Sequence, residues 1–416
     1  MNKKNYQAKI KSDLKISFYN DFIEWDVFYF DEIFSFIQTN NFTRSSMNNI
    51  KGNVKNIHYG DILVKYNTIL EELSVLPYIN DGIDITKYKK NAYVKNGDII
   101  IADTAEDYTA GKAIELKNVT SKVLSGLHTF LCRPKIKIAP MYLGYYLNSK
   151  QYHNQLIKLL TGVKVYSISK TNIVKTLIAL PKSYEEQEKI AECLKSIDDL
   201  ILQEEDKLEK LKSHKNGLLQ KLFPQDNKCM PELRFKRYNQ KWEKMTFDNL
   251  LDYERPEKYI VESTNYESSG TPVLTANKAF ILGYSSEKFG IYKNVPVILF
   301  DDFTTDKKFV DFPFKVKSSA IKILKPKGQN NLKFIFEIMN NTKFTFTEHK
   351  RYYISTYKNI AIFATKNKQE QQKIAECLSS IDDLISAQAE KIEALKQHKK
   401  GLLQGLFPSI KEVEND

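Results

Sequence analysis

Two stretches of the chain place apolar residues at alternating steps of three and four over a length that no compact core requires. In the first they fall at Ile190, Leu194, Ile197, Ile201, Leu208, Leu211 and Leu218, and in the second at Ile374, Leu378, Ile381, Ile385, Ile392, Leu395 and Leu402. This is the a/d spacing of a helical seam held over about five heptads, and it predicts two long helices. Ser183 three residues before Glu186, and Asn367 three before Glu370, have capping-box form, while Pro224 and Pro408 stop the pattern. At 1.5 Å per residue each helix would run roughly 55 Å. A seam of that length needs a partner: the other helix, returning antiparallel as a coiled coil, is the nearest one, and a helix of a different protein is the alternative.

Elsewhere the pattern changes to short apolar runs that follow turn signals. Gly60-Asp61-Ile62-Leu63-Val64, Asn96-Gly97-Asp98-Ile99-Ile100-Ile101, Pro296-Val297-Ile298-Leu299-Phe300 and Ser319-Ala320-Ile321-Lys322-Ile323-Leu324 are predicted strands. Helical patterns follow, from Met141 through Leu147 to Leu160 in one region and from Leu332 to Met339 in the other. The fold class is therefore mixed α/β, with globular segments alternating with helices.

The two helical stretches are copies. Glu186–Pro224 and Glu370–Pro408 align at an offset of 184 with about two-thirds of positions identical. A fainter match aligns Phe18, Trp25, Phe30 and Ile33 with Phe235, Trp242, Phe247 and Leu250 at an offset of 217. The offsets differ by 33, so the first globular segment is longer by about one supersecondary element. This gives an internal pseudo-twofold repeat: a first globular domain at 1–183, a helix at 184–224, a second domain at 225–367, and a helix with a tail at 368–416.

Charge sharpens this division. The 416 residues carry a formal charge of +12, with 25 basic against 16 acidic residues in 1–183 and 24 against 16 in 225–367. The helical segments are acidic, with 7 basic against 10 acidic residues in 184–224 and 7 against 9 in 368–416. A basic amphipathic membrane helix would show the opposite partition, so a polyanion bound by both globular domains is the natural inference. With 42% hydrophobic residues and 24 each of Tyr and Phe, wholesale disorder is excluded. Apolar runs such as Val295 to Phe300 are about a third of the roughly 20 residues that a membrane span needs. No membrane role and a cytoplasmic setting are expected, with Cys132, Cys193, Cys229 and Cys377 as free thiols.

Basic, hydroxyl, amide and aromatic residues interleave late in each domain, as suits contacts to phosphates and base edges. The candidate DNA-binding residues are Lys164, Tyr166, Ser167, Ser169 and Lys170 in the first domain. In the second they are Thr275, Asn277, Lys278, Thr304, Thr305, Lys307, Lys308, Lys350, Arg351 and Tyr352. Catalytic signatures are missing: Ala110-Gly111-Lys112-Ala113 lacks the rest of a phosphate-binding loop, and there is no HExxH, GxSxG or Asn-Pro-Pro-aromatic motif. Asp198-Asp199 and Asp382-Asp383 are the carboxylates that a metal-dependent nuclease could use, but neighbouring helix positions point apart, which favours a structural or docking role. Gly217 and Gly401 inside the helices suggest either a close approach of another chain or a local bend.

The doubled Glu-Gln…Ile-Ala…Ile-Asp…Leu-Lys…Lys-x-Gly-Leu-Leu-Gln-x-Leu-Phe-Pro motif resembles the specificity (S) subunit of type I restriction–modification systems, as does Pro231-Glu232-Leu233-Arg234-Phe235 ahead of Trp242. At the start of the first domain, Leu14-Lys15-Ile16-Ser17-Phe18 departs from that pattern. The resemblance implies two α/β target recognition domains separated by two long conserved helices forming an antiparallel coiled coil. Each domain would read one half of a bipartite, asymmetric site in double-stranded DNA, and the helices would fix the spacer. The chain would be non-catalytic and bind no cofactor. It would dock two methyltransferase (M) subunits that use S-adenosylmethionine, and optionally two restriction (R) subunits that use ATP and Mg. The readings from other classes are a coiled-coil adaptor without a sequence-specific DNA role and a metal-dependent nuclease.

Overall fold

The computed structural model describes residues 24–225, 228–277, 279–344 and 351–410. The chain divides into two compact units, residues 1–204 with 391–416, and residues 205–390. The cuts fall inside the long helices rather than at 184 and 368, so each unit takes the start of one helix and the end of the other.

The helices run Tyr184–Leu222 and Lys368–Gly405, both stopping short of the Phe-Pro pairs. Ser183 Oγ accepts the Glu186 N–H at 3.4 Å and Asn367 Oδ1 accepts the Glu370 N–H at 3.1 Å, which fixes both starts as the cap residues require. A Cβ built on Gly217 or Gly401 meets no described atom within 4 Å, and the helix continues through both.

In the first unit a five-stranded sheet has the order Phe34–Ile37, Thr129–Pro134, Ile99–Ala102, Ala113–Leu116, Ile69–Leu70. A four-stranded sheet (Val123–Ser125, Lys55–Ile57, Tyr78–Ile79, Met47–Asn48) lies in the same unit, and Trp25–Tyr29 pairs antiparallel with Leu177–Pro181, the strand that leads into the first long helix. The second unit repeats the frame. Its main sheet runs Leu251–Glu254, Ile321–Pro326, Val297–Asp301, Lys307–Val310, and Glu243–Thr246 pairs with Ala361–Ala364 ahead of the second helix.

Two sequence expectations need correction. Residues 60–64 belong to a helix, Tyr59–Val64, because His58 Nδ1 accepts the Gly60 N–H and the buried Asp61 carboxylate pairs with Arg44 and, one turn on, Lys65. The helical pattern from 141 to 160 is broken into Tyr142–Leu147 and Lys150–Ile157. There Asn148 turns its amide onto both backbone groups of Ala113, at 3.1 and 2.8 Å, and Ser149 caps the next helix.

The seam residues divide between two environments. Ile190 and Leu194 are buried in the first unit's core with Trp25, Phe30 and Tyr142, where Phe407 also sits edge-on to Tyr142 and Tyr146. Ile374 and Leu378 lie in the second unit's core with Leu222, Phe223 and Trp242. Ile201, Ile381 and Ile392 are buried as well, while Ile197, Leu208, Leu211, Leu218, Ile385, Leu395 and Leu402 are half-buried. The ends of the seam are thus core of the globular units rather than coiled coil.

Ion pairs give the helix direction inside the first unit: Asp198 meets Lys399 at 2.5 Å and Glu204 meets Lys391 at 2.6 Å, so one helix ascends as the other descends. In the second unit Lys215 meets Asp382 at 2.6 Å. Lys215 and Lys399 hold one repeat position, and Asp198 and Asp382 another. The repeat therefore forms the same bridge twice with the partners exchanged.

The second motif residue works alike in both copies. Gln187 accepts from the Ala139 N–H and donates to Pro181 O; Gln371 accepts from Asn331 N–H and donates to Thr365 O. Each buried glutamine ties its helix to the strand that feeds it and to the loop before a neighbouring helix.

Candidate nucleic-acid interface

In each unit the segment ahead of the long helix is held against the end of a central strand by the same backbone clasp. In the first unit the Asp103 N–H donates to His128 O at 3.1 Å and Asp103 O accepts the Ile168 N–H at 2.9 Å. In the second the Asp302 N–H donates to Ala320 O at 2.9 Å and Asp302 O accepts the Tyr352 N–H at 2.8 Å. Ile168 and Tyr352 are thus counterparts, and both are interior, each 2% exposed.

Around the first clasp, Tyr166–Ser167 pairs with Thr104–Ala105, and Thr161 and Ser167 exchange both backbone hydrogen bonds at 2.9 Å to close a hairpin. The Tyr166 ring lies 4.6 Å from that of Tyr108, and Lys164 is exposed at the tip. Lys170 places its ammonium over the rings of Phe36 and Phe130 at 5.1 and 6.0 Å. Ser169 Oγ accepts the Asn172 N–H and caps a short helix. Beside the clasp His128, with φ of 54°, sits 3.3 Å from Asp103, and its ring meets Tyr59 edge-on. Burial, then the positive charge of Arg44, lowers the pKa of neighbouring His58. For Asp61, burial acts to raise the pKa, but hydrogen bonds from Arg44 and Lys65 hold it below its ordinary value.

Around the second clasp, the buried Lys322–Asp302 pair at 3.0 Å and the Tyr353 N–H on Asp302 Oδ1 at 2.8 Å lock the segment. Asp301 Oδ1 accepts the N–H groups of Phe303 and Thr304, shaping a loop whose Thr304 hydroxyl reaches Asn277 Oδ1 at 3.3 Å. Thr275 Oγ1 accepts the Asn277 N–H, so Thr275, Asn277 and Thr304 come together. Arg351 is exposed, its guanidinium 5.7 Å from the Phe303 ring centre and its Nη2 3.4 Å from Ser319 Oγ. Lys308 stands 6.0 Å from the ring centre of Phe280.

Residues 23–213 match the family model described as the type I restriction modification DNA specificity domain. This match spans a little under half of the chain. The chain is 42% identical over 161 residues to the type I restriction enzyme EcoR124I/EcoR124II specificity subunit of Escherichia coli, covering 36% of this chain and 40% of that relative's length. It is 27% identical over 370 residues to the putative type I restriction enzyme MjaX specificity subunit of Methanocaldococcus jannaschii, covering 81% and 83%. The fold is similar to the S subunit of the type I system from M. genitalium, with a TM-score of 0.60 at 14% identity over 97% of this chain and 100% of that one.

Within the two units the structure rearranges the candidate residues. Tyr352 is corrected to a core residue, packed against Phe344 at 5.3 Å, because its N–H must face Asp302. Thr305 is buried as well, with φ of 58° and its N–H on Asp301 O at 3.0 Å. Ser169 spends its hydroxyl on a cap, and Lys307, whose pKa burial lowers, is less suited than Lys308 to meet phosphate. Lys278 and Lys350 lie outside the described residues. Lys164, Tyr166, Ser167 and Lys170 in one unit, and Thr275, Asn277, Thr304, Lys308 and Arg351 in the other, gather at or near a clasp. Sequence reasoning missed Tyr108, His128 and Phe303, which join the clasp only through long-range pairing. His128 left no sequence signal, since its left-handed φ of 54° exists only in the folded turn between strands.

Asp198 and Asp382 are engaged by lysines, and Asp198 also accepts the Tyr145 hydroxyl at 2.9 Å. Among the described residues no group of three or more His, Cys, Asp or Glu could hold a metal ion, and no helix is long and apolar enough to cross a membrane.

Proposed function

We propose that this chain is the DNA-reading subunit of a type I restriction–modification complex, that each unit reads one half of a bipartite asymmetric site, and that it does no chemistry itself. The observation that carries this reading is the repeated clasp: one backbone arrangement presents Lys164, Tyr166 and Ser167 in one unit and Arg351, Thr304 and Asn277 in the other. An invariant frame with unlike polar, basic and aromatic side chains suits two different half-sites read in the major groove. The basic excess of the two globular segments supplies phosphate attraction, and the acidic helices are left for protein partners. Those partners are two methyltransferase subunits carrying S-adenosylmethionine and, optionally, two restriction subunits using ATP and Mg, in the cytoplasm.

Exchanging residues 231–365 for the same segment of another family member tests the reading. Methylation sequencing of cells making the hybrid with its methyltransferase should show one half-site changed and the other kept; change in both, or in neither, defeats it. Arg351→Ala should weaken binding of the assembled complex about ten-fold and lower the salt slope by about one. Filter binding across a salt series measures both.

A further inference from the structure

The hairpin Thr161–Ser167 ends in the most exposed large apolar side chain among the described residues. Val163 is 90% exposed and Val165 51%, with exposed Lys164 between them. The tip is rigid. Gly162 has φ of 119°, and a Cβ there would lie 1.9 Å from Val165 O, so only glycine closes this turn. At the base Thr161 and Ser167 are bonded in both directions, and Tyr166 is braced on Tyr108. A β-branched side chain on such a tip has little rotamer freedom left to lose on binding. Solvent-exposed valines do nothing for the fold; a built turn that holds two of them out, around a lysine, is shaped to enter something apolar lined by negative charge.

The major groove of DNA is such a place, and it offers one apolar group, the 5-methyl of thymine. Resting on the DNA-reading role proposed above, we infer that Val163 and Val165 read thymine methyl groups in the half-site of the first unit, with Lys164 directed to the adjoining phosphates.

The test uses the chain co-purified with its methyltransferase subunit and duplexes carrying its methylated motif. Each thymine of that motif is replaced singly by deoxyuridine, which removes only the methyl group. Wild-type binding should fall about four-fold at one or two positions of a single half-site. The Val163→Ala, Val165→Ala double variant should bind the thymine duplex as weakly as wild type binds the uracil one, be indifferent to uracil, and methylate a motif degenerate at those positions. Site-specific wild-type binding that is insensitive to every uracil, or a half-site without thymine, overturns the inference and leaves the DNA-reading role standing. Binding without sequence preference overturns the role itself. A double variant that fails to assemble with the methyltransferase but still discriminates thymine from uracil would assign the valines to a protein contact and also overturn the inference.

Discussion

At one matching position of the two central sheets the units solve the same packing problem in opposite chemistries. Glu115 in the first unit pairs with Ile99 as Phe309 in the second pairs with Ile298. Glu115 is buried and accepts the N–H groups of Met141 and Gly144 at 2.5 and 2.9 Å, capping the helix Tyr142–Leu147. A Cβ on Gly144 would come within 2.9 Å of the Glu115 Cβ, so the acid needs that glycine. In the second unit Phe336 holds the place of Gly144, and its ring packs 5.8 Å from Phe309. An acid with a glycine, or two phenylalanines, fills the same space, and either member alone would not. The duplicated frames thus differ by coupled pairs, while the glutamine that joins strand to long helix, Gln187 or Gln371, is kept in both.

A second difference lies where the long helices begin. Glu370 is buried and takes two bonds from Arg234, at 2.7 and 2.9 Å, with Trp242 Nε1 and the Thr365 hydroxyl completing the network. Its copy Glu186 is partly exposed, and Trp25 Nε1 has no hydrogen-bond partner among the described residues. At the offset of the first-domain match, Arg234 corresponds to Ser17, which lies outside the described residues.

This contrast should give the largest effect. Glu370→Ala strands a buried guanidinium and should lower the stability of the second unit by about 3–5 kcal/mol, against about 0.5 kcal/mol or less for Glu186→Ala in the first. Segment-resolved hydrogen exchange on Glu243–Thr246 and Trp25–Tyr29 measures both, and equal losses would break the comparison.

The Glu115 position adds a pH dependence confined to the first unit. Burial, outweighing the two backbone N–H groups, pushes its carboxyl up to about 7. A carboxyl raised on folding stabilises fully below its unfolded value near 4.5, and that contribution is lost as pH rises through 7. Protection of the Tyr142–Leu147 amides should therefore fall by about 3 kcal/mol between pH 4.5 and 8, with no matching change in the helix Leu332–Asn341. Glu115→Gln should flatten the slope.

The smallest effect concerns the exchanged bridges. Asp198→Lys and Lys399→Asp should each destabilise the first unit, and the double variant should recover about 1 kcal/mol of coupling. In the second unit Lys333 also reaches Asp382, at 3.0 Å, and the buried Glu337, at 3.1 Å, so reversing Lys215 and Asp382 should recover less. Thermal unfolding of the two pairs of variants distinguishes them.

The long helices, the duplication, the strands at 99–101 and 297–300 and the α/β class were legible because period and self-similarity are local properties of the sequence. The strand expected at 60–64 was not, because its apolar run is too short to separate strand from helix, and the deciding partner, Arg44, lies 17 residues away in sequence. Tyr352 misled for a related reason. Its composition suits DNA, while its burial follows from one backbone bond to Asp302, 50 residues away. Candidate residues could be gathered by type, but which of them face outward depends on the clasp.

Phe407 closes against Tyr142 and Tyr146, yet residues 205–390 are made between the bulk of the first unit and this last side chain. On the ribosome, the domain translated first must therefore wait for nearly the whole message before its core is sealed, while the domain translated second can close on a contiguous stretch. A chain released early would carry an open aromatic socket, a ready mark for chaperones and proteases, so that only finished chains persist.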